Sequence, residues 1–325
     1  MTAYIVRRIL YAIPILLGVN ILTFALFFVV NSPDDMARVH LGVKRVTPEA
    51  IDNWKSEHGY DRPLLFNSKE AGLEKITDTI FFQHSARLFV FDFGQSDDGR
   101  DIGYDISQRM WASLAIALPT FIVGVLINIT FALLLAFFRG SLFDISGVIL
   151  CVILMSISGL FYIIGGQYLL SKLWHLVPIS GYDSGVNALK FLVLPVIIGV
   201  IGGIGAGTRL YRTFYLEEIN KDYVRTARAK GLSELQVLFR HVLKNAMIPI
   251  LTGVVVVIPL LFIGSLIMES FFGIPGLGSY TIDAINSQDF AIVRAMVFLG
   301  SVLYILGLVL TDISYTLVDP RVRLN

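Results

Sequence analysis

YVRTARAKGLSELQVLFRHVLKNAMIP, residues 223–249, is a polar, basic island between two apolar stretches. Residues 191–208 before it and 245–268 after it carry no charge. Around the island lie Arg209, Arg212, Lys221, Arg225, Arg228, Lys230, Arg240 and Lys244, against the acids Glu217, Glu218, Asp222 and Glu234. Short loops rich in Lys and Arg stay on the cytoplasmic side of a membrane. The island is therefore expected to be a cytoplasmic surface held between two spans.

Locally it reads as two short helices with a break. Residues 221–230 are good helix formers, with Asn220 or Asp222 as the expected cap. Gly231 suits the left-handed residue that ends a helix. Ser233 followed by Gln236 has the spacing of a capping box that starts the next one. There Leu235, Leu238, Phe239 and Val242 fall at i, i+3, i+4, i+7, one apolar stripe. In the first helix Tyr223, Ala227 and Gly231 recur every four residues, and small groups there admit a close partner backbone. Two roles fit such an island: a basic loop against anionic headgroups, or a rigid knob for a cytoplasmic protein.

Composition places the whole chain in a membrane. Of 325 residues, 55% are hydrophobic and only 16% charged, and mean hydropathy is +0.72; soluble domains carry roughly 25% charged residues. A net charge of +1 gives no footprint for nucleic acid. The single cysteine, Cys151, can form no internal disulfide and reads as a small apolar filler in a span. Uncharged runs at 9–30, 111–138, 145–171, 191–208, 245–268 and 295–311, the last extended to about 317, give six spans against a need of about 20 residues each. Arg7 and Arg8 before the first span, Arg139 after the second, and Arg321 and Arg323 near the end put both termini in the cytoplasm. The first span is longer than a signal-peptide core and reads as a retained anchor.

The resulting division is a first span over 1–30, an extracytoplasmic loop domain over 31–110, a five-helix core over 111–317 containing the basic loop 209–245, and a cytoplasmic tail over 318–325. The 31–110 loop has more acids than bases, and loops beyond roughly 60 residues translocate regardless of charge. Within it Thr47-Pro48-Glu49 marks a helix start running to about His58, and FVFDFG at 89–94 alternates as a strand or edge. Phe66–Leu88 has no assignable role. Gly199, Gly203 and Gly207 recur at four-residue spacing, a pattern for close helix packing in lipid. ESFFGIPGLGSYTIDAINSQD, 269–289, reads as a re-entrant or surface loop: two aromatics, a Gly-Ile-Pro-Gly turn and a short helix.

Some chemistries have no residues to support them. There is no GxxxxGK[ST] loop, HExxH or CxxC, and His40, His58, His84, His175 and His241 are scattered. No catalytic residue and no metal ligand is assigned. No span has a carboxylate at its centre, which weighs against an ion-coupled secondary transporter.

YVRTARAKG followed by HVLKNAMIP resembles the cytoplasmic signature of permease subunits in the dipeptide/oligopeptide/nickel family of binding-protein-dependent ABC importers. The segments LGVKRVTPEAIDNWKSEHGYDRPL, FDFGQS, ESFFGIPGLGSY and TDISYTLVDPRVR are similar to that family in the same order. The general importer pattern has Glu-Ala-Ala, three residues and Gly; here Arg225-Thr226-Ala227 precedes Gly231, so the glutamate is replaced. The resemblance implies an all-α membrane protein with six transmembrane helices and the type I ABC importer fold, in a bacterial inner membrane. It implies a coupling helix that docks an ATPase through Tyr223, Arg225, Thr226, Ala227, Lys230, Gly231 and Leu232. Glu269, Phe271 and Phe272 are the candidate pathway or gate residues. The implied partners are a second permease, two cytoplasmic ATPases and an extracytoplasmic substrate-binding protein, in contact with lipid. ATP and Mg would be held by the ATPases, with no cofactor in this chain. The competing classes are a secondary transporter or channel working without ATPases, an intramembrane enzyme, and a membrane scaffold.

Overall fold

The structure, a computed structural model, describes residues 2–42, 46–183 and 185–318. The tail expected beyond 318, with Arg321 and Arg323, and residues 43–45 of the outer-loop motif lie outside these.

In chain order the helices are α1 (Thr2–Phe24), α2 (Pro33–Leu41), α3 (Pro48–Glu57), α4 (Glu74–Thr77), α5 (Ile80–His84), α6 (Ile102–Phe137), α7 (Leu142–Ser156), α8 (Gly159–Gly166), α9 (Ala188–Ile219), α10 (Asp222–Ala229), α11 (Glu234–Val237), α12 (Lys244–Val257), α13 (Leu266–Phe272), α14 (Leu277–Ser287) and α15 (Phe290–Val318). Wider, π-type turns extend α1 over Ala25–Val30, extend α8 over Gln167–Leu173, and join α11 to α12 over Leu238–Leu243. Among the described residues the fold is entirely helical apart from one isolated antiparallel bridge, Gln95 to Asp101. The strand expected at 89–94 is absent. Ala86–Val90 forms a 3-10 turn, and Phe91 sits at φ 59°, a left-handed residue that ends any extended run.

Five stretches are long and apolar enough to cross a bilayer: Leu10–Val30, Ile102–Phe137, Gly185–Ile219, Glu234–Phe262 and Phe290–Ser314. The third expected span, 145–171, is not one straight helix. Its halves, Leu142–Ser156 and Gly159–Leu173, meet at 90°, because Ile157 and Ser158 both adopt extended backbone. Counted as one broken span, the pair makes six.

The chain divides into two compact units: residues 109–279 with 306 onward, and 2–108 with 280–305. In the second, α2 starts with a reciprocal capping box between Ser32 and Asp35, and Thr47 caps α3 with Pro48 at its first position, the start read from sequence. Phe24, Phe28, Met36, Trp54, Tyr60 and Ile80 form its core. Phe66–Leu88 is folded into it: Ile80 N–H donates to the Pro63 carbonyl at 3.0 Å, Asn67 Nδ2 donates to Asp78 at 2.9 Å, and Ile80 and Leu88 are buried.

In the first unit the glycine stripe of α9 is spent on internal contacts. A methyl group at Gly205 would lie 2.6 Å from the Cys151 carbonyl on α7, one at Gly199 would lie 2.6 Å from Thr120 on α6, and one at Gly207 would lie 2.6 Å from Asn128 on α6. Backbones meet here because nothing intervenes. Gly203 has open space. Thr208 Oγ1 donates to Asn128 at 2.9 Å, joining α9 to α6 by a buried polar pair.

Candidate functional site

The basic island is a short helix clamped from below. Gly231, at φ 81°, ends the first helix as expected, and Ser233 with Gln236 completes the capping box. The N-cap is Lys221 rather than Asn220 or Asp222, with no side-chain cap bond; Asn220 turns back to the Leu216 carbonyl at 3.0 Å. The second helix is also not short. It runs through the π-type turn into α12.

That turn reassigns the apolar stripe. Five-residue steps shift the helical register, so the buried face runs Val237, Val242, Ala246, Ile250, with Leu238 beside it. Leu235 and Phe239, expected inside, are 57% and 56% exposed. The buried face meets Tyr215 and Ile219 of α9 and Val224 and Ala227 of α10 in one cluster. Ala227 is only 4% exposed and anchors α10 on that cluster. Thr226, Arg225, Lys230 and Gly231 lie on the exposed face, Tyr223 is partly exposed, and Leu232 is half-buried.

Three polar clasps fix this platform. Arg228 grips Glu234 across the break with two bonds, 2.8 and 3.1 Å. Tyr223 donates to Glu218; partial burial, reinforced by that carboxylate, pushes the phenol up to about 12, so it stays a neutral donor. Further back, Arg212 of α9 holds the buried Asp144 of α7 in a two-pronged pair at 2.8 and 2.7 Å. Sequence reading missed Asp144; a lone carboxylate just before an apolar run was its only signal.

The 264–279 region is built differently. Glu269 is 1% exposed. Ser265 N–H and Ser279 N–H donate to its two oxygens at 3.1 and 3.0 Å, while Ser113 Oγ on α6 accepts from Leu277 N–H at 2.8 Å. Side chains at Gly264 or Gly276 would strike the Glu269 carboxylate, and one at Gly278 would lie 2.6 Å from the Ser265 backbone. These glycines let the chain wrap the carboxylate. Gly273, left-handed at φ 64°, caps α13, giving the turn and short helix expected after 269.

Among the gate candidates, Glu269 borders an apolar cavity of about 360 Å³ with Ile116, Thr120, Phe121 and Leu261. Phe271 is exposed, and its carbonyl accepts from Gln167 at 3.2 Å. Phe272 is packed in the interior with Ile163, Leu194 and Ile274. Among the described residues no cluster of His, Cys, Asp and Glu is placed to hold a metal ion.

A bundle of apolar spans with a braced basic helix describes a membrane-spanning component with a rigid polar surface on one loop. Residues 128–324 match the binding-protein-dependent transport system inner membrane component, and residues 1–83 match the N-terminal region of that system's membrane component. The chain is 34% identical to a putative peptide transport system permease protein of Brucella abortus over 329 residues, covering 99% of both. It is 28% identical to the dipeptide transport system permease protein DppB of Escherichia coli over 351 residues and 29% identical to the di/tripeptide transport system permease protein DppB of Pseudomonas aeruginosa over 350 residues, again covering 99% of each chain. The chain belongs to the family of binding-protein-dependent transport system inner membrane components.

Proposed function

We propose that this protein is half of the translocation pathway of an ATP-driven peptide importer. In that complex α10 docks into one of two cytoplasmic ATPases, a second permease completes the pathway, and an extracytoplasmic binding protein delivers substrate. Both termini are then cytoplasmic, and the chain has no catalysis of its own. The observation that carries this function is the construction of α10. A polar face of Tyr223, Arg225, Thr226, Lys230 and Gly231 stands out from a helix whose other face is anchored by Val224 and Ala227. A loop merely resting on headgroups has no need of a left-handed break, a capping box and an ion-pair clasp. A rigid lever does, because force on α10 then passes into α9 and α12 through their shared core. Peptides as cargo come from the names of the relatives. The test is reconstitution: vesicles with the full complex should import labelled dipeptide with ATP, and vesicles with this chain alone should neither import it nor hydrolyse ATP. Unaided transport by the chain alone would contradict the proposal.

A further inference from the structure

The 2–108 and 280–305 unit contains a cavity of about 630 Å³. Its lining is charged with both signs: Arg87 and Arg294 on the one hand, Asp92, Asp97 and Asp101 on the other, with a neutral His84 among them. Arg294 is the odd member. It is 4% exposed. Its Nε donates to the Phe290 carbonyl at 3.2 Å, and its guanidinium lies over the Phe28 ring, 4.7 Å from the centroid. Its Nη1 has no acceptor, and among the described residues no carboxylate is paired with it.

The nearby acids are not paired with it. Asp289 takes the N–H groups of Asp97 and Ile292 at 2.8 and 3.1 Å, and Asp97 lies 3.7 Å from His40 and 3.9 Å from His58. Arg294 also sits just past the first turn of α15, near the end where the helix dipole disfavours a cation. His84 registers the local field: burial, with Arg294 adding to it, lowers its imidazole to about 3, leaving it neutral. A buried guanidinium without a counter-ion is expensive to keep, and a bidentate carboxylate is the ligand its fork fits.

We propose that this cavity binds the carboxylate end of a short peptide against Arg294 and Arg87, with the peptide ammonium toward Asp97 and Asp101. Ligand class and outward placement rest on the importer function above. A cavity of this size is in the range that small-molecule sites occupy. One other place could satisfy the free N–H: Arg294 and Asn20, whose Oδ1 also lacks a partner, border a void of about 10 Å³, room for a single water. Water there would leave the charge uncompensated.

The test uses the full chain in nanodiscs of neutral phosphatidylcholine, titrated with dialanine, its C-terminal amide and its N-acetyl derivative by calorimetry. Dialanine should bind saturably, and the amide at least about tenfold more weakly, the loss expected for one charged hydrogen-bonded contact. Arg294→Met should abolish binding, and the more exposed Arg87→Gln should weaken it severalfold with the fold intact. Equal affinity for acid and amide, no saturable binding, or binding indifferent to both substitutions overturns the site. Indifference to Arg294→Met alone assigns that guanidinium to the Asn20 void and overturns its role here. Import of dialanine by the full complex is measured in parallel. Import without binding to this chain removes the site and leaves the importer; binding without import does the reverse.

Discussion

Two charged regions of this protein meet the same problem, a polar group beside a membrane span, and solve it in opposite ways. At α10 the charges face outward and the apolar side chains are driven in, so Val224 and Ala227 are buried while Arg225 and Lys230 stay in solvent. At 264–279 the charge itself is driven in, and Glu269 is wrapped by backbone N–H groups that glycines bring close. The first arrangement leaves binding capacity unspent on the surface. The second consumes it internally. An exposed, rigidly mounted set of donors is suited to a partner; a fully satisfied buried carboxylate is suited to holding a turn in shape. Glu269 therefore holds the 264–279 turn in shape beside its cavity.

The largest effect that separates the two regions is expected from Gly231→Asp. Nothing crowds Gly231, but its φ of 81° strains any side chain, so an aspartate both disturbs the break after α10 and sets a negative charge among the cations of the docking face. Co-purification of the ATPases should be lost while membrane insertion and helicity are unchanged; normal co-purification would place docking elsewhere.

Glu269→Gln should have the complementary outcome. An amide must turn a donor toward one of two N–H donors, and an unsatisfied buried group costs about 1–3 kcal/mol. Hydrogen exchange over 264–279 should accelerate and import should fall, with ATPase binding untouched. If ATPase binding fell as well, the separation between the two regions would not hold.

A smaller contrast comes from α9. Gly205→Ala brings a methyl against the Cys151 carbonyl, whereas Gly203→Ala enters open space. The first should lower the melting temperature in detergent by several degrees, since overpacking costs about 1–3 kcal/mol, and the second should leave it nearly unchanged.

The smallest is a pH effect in the loop domain. His84 titrates near 6.5 when unfolded and about 3 in place. Its neutral burial is therefore a stabilising condition fully met above 6.5 and progressively lost as pH falls toward 3. Asp97 works the other way: burial, with Asp289 nearby, raises its carboxyl, so acid relieves a strain there. Exchange protection over 74–90 should drop between pH 7 and 4.5, and His84→Gln should flatten that drop.

Much of this was legible in the chain. Span positions follow from uncharged runs, and the break at Gly231, the Ser233–Gln236 box, the Thr47-Pro48 start and the turn after Phe272 are local signals carried by a few adjacent residues. What stayed hidden depends on register or on distance. A π-type turn over Leu238–Leu243 moved Leu235 and Phe239 from the expected inside to the outside, and no residue type marks such a turn. The bend at Ile157–Ser158 is hinted at only by serines and a glycine in an apolar run. Arg212 with Asp144, and Ser113 with the 277 amide, join residues 68 and 164 apart in the chain, beyond any spacing rule. Ala227 was singled out as a docking residue because it is small; its smallness serves packing against α9 and α12.

That last point supplies the most direct test of docking by α10. A photo-crosslinking residue is placed in turn at Thr226, Lys230 and Ala227 in the assembled transporter, and capture of the ATPase is read by mass. Thr226 and Lys230, on the exposed face, should capture it strongly, and Ala227, turned into the core, should give little. Equal capture from all three positions, or none from Thr226 and Lys230, would contradict the account.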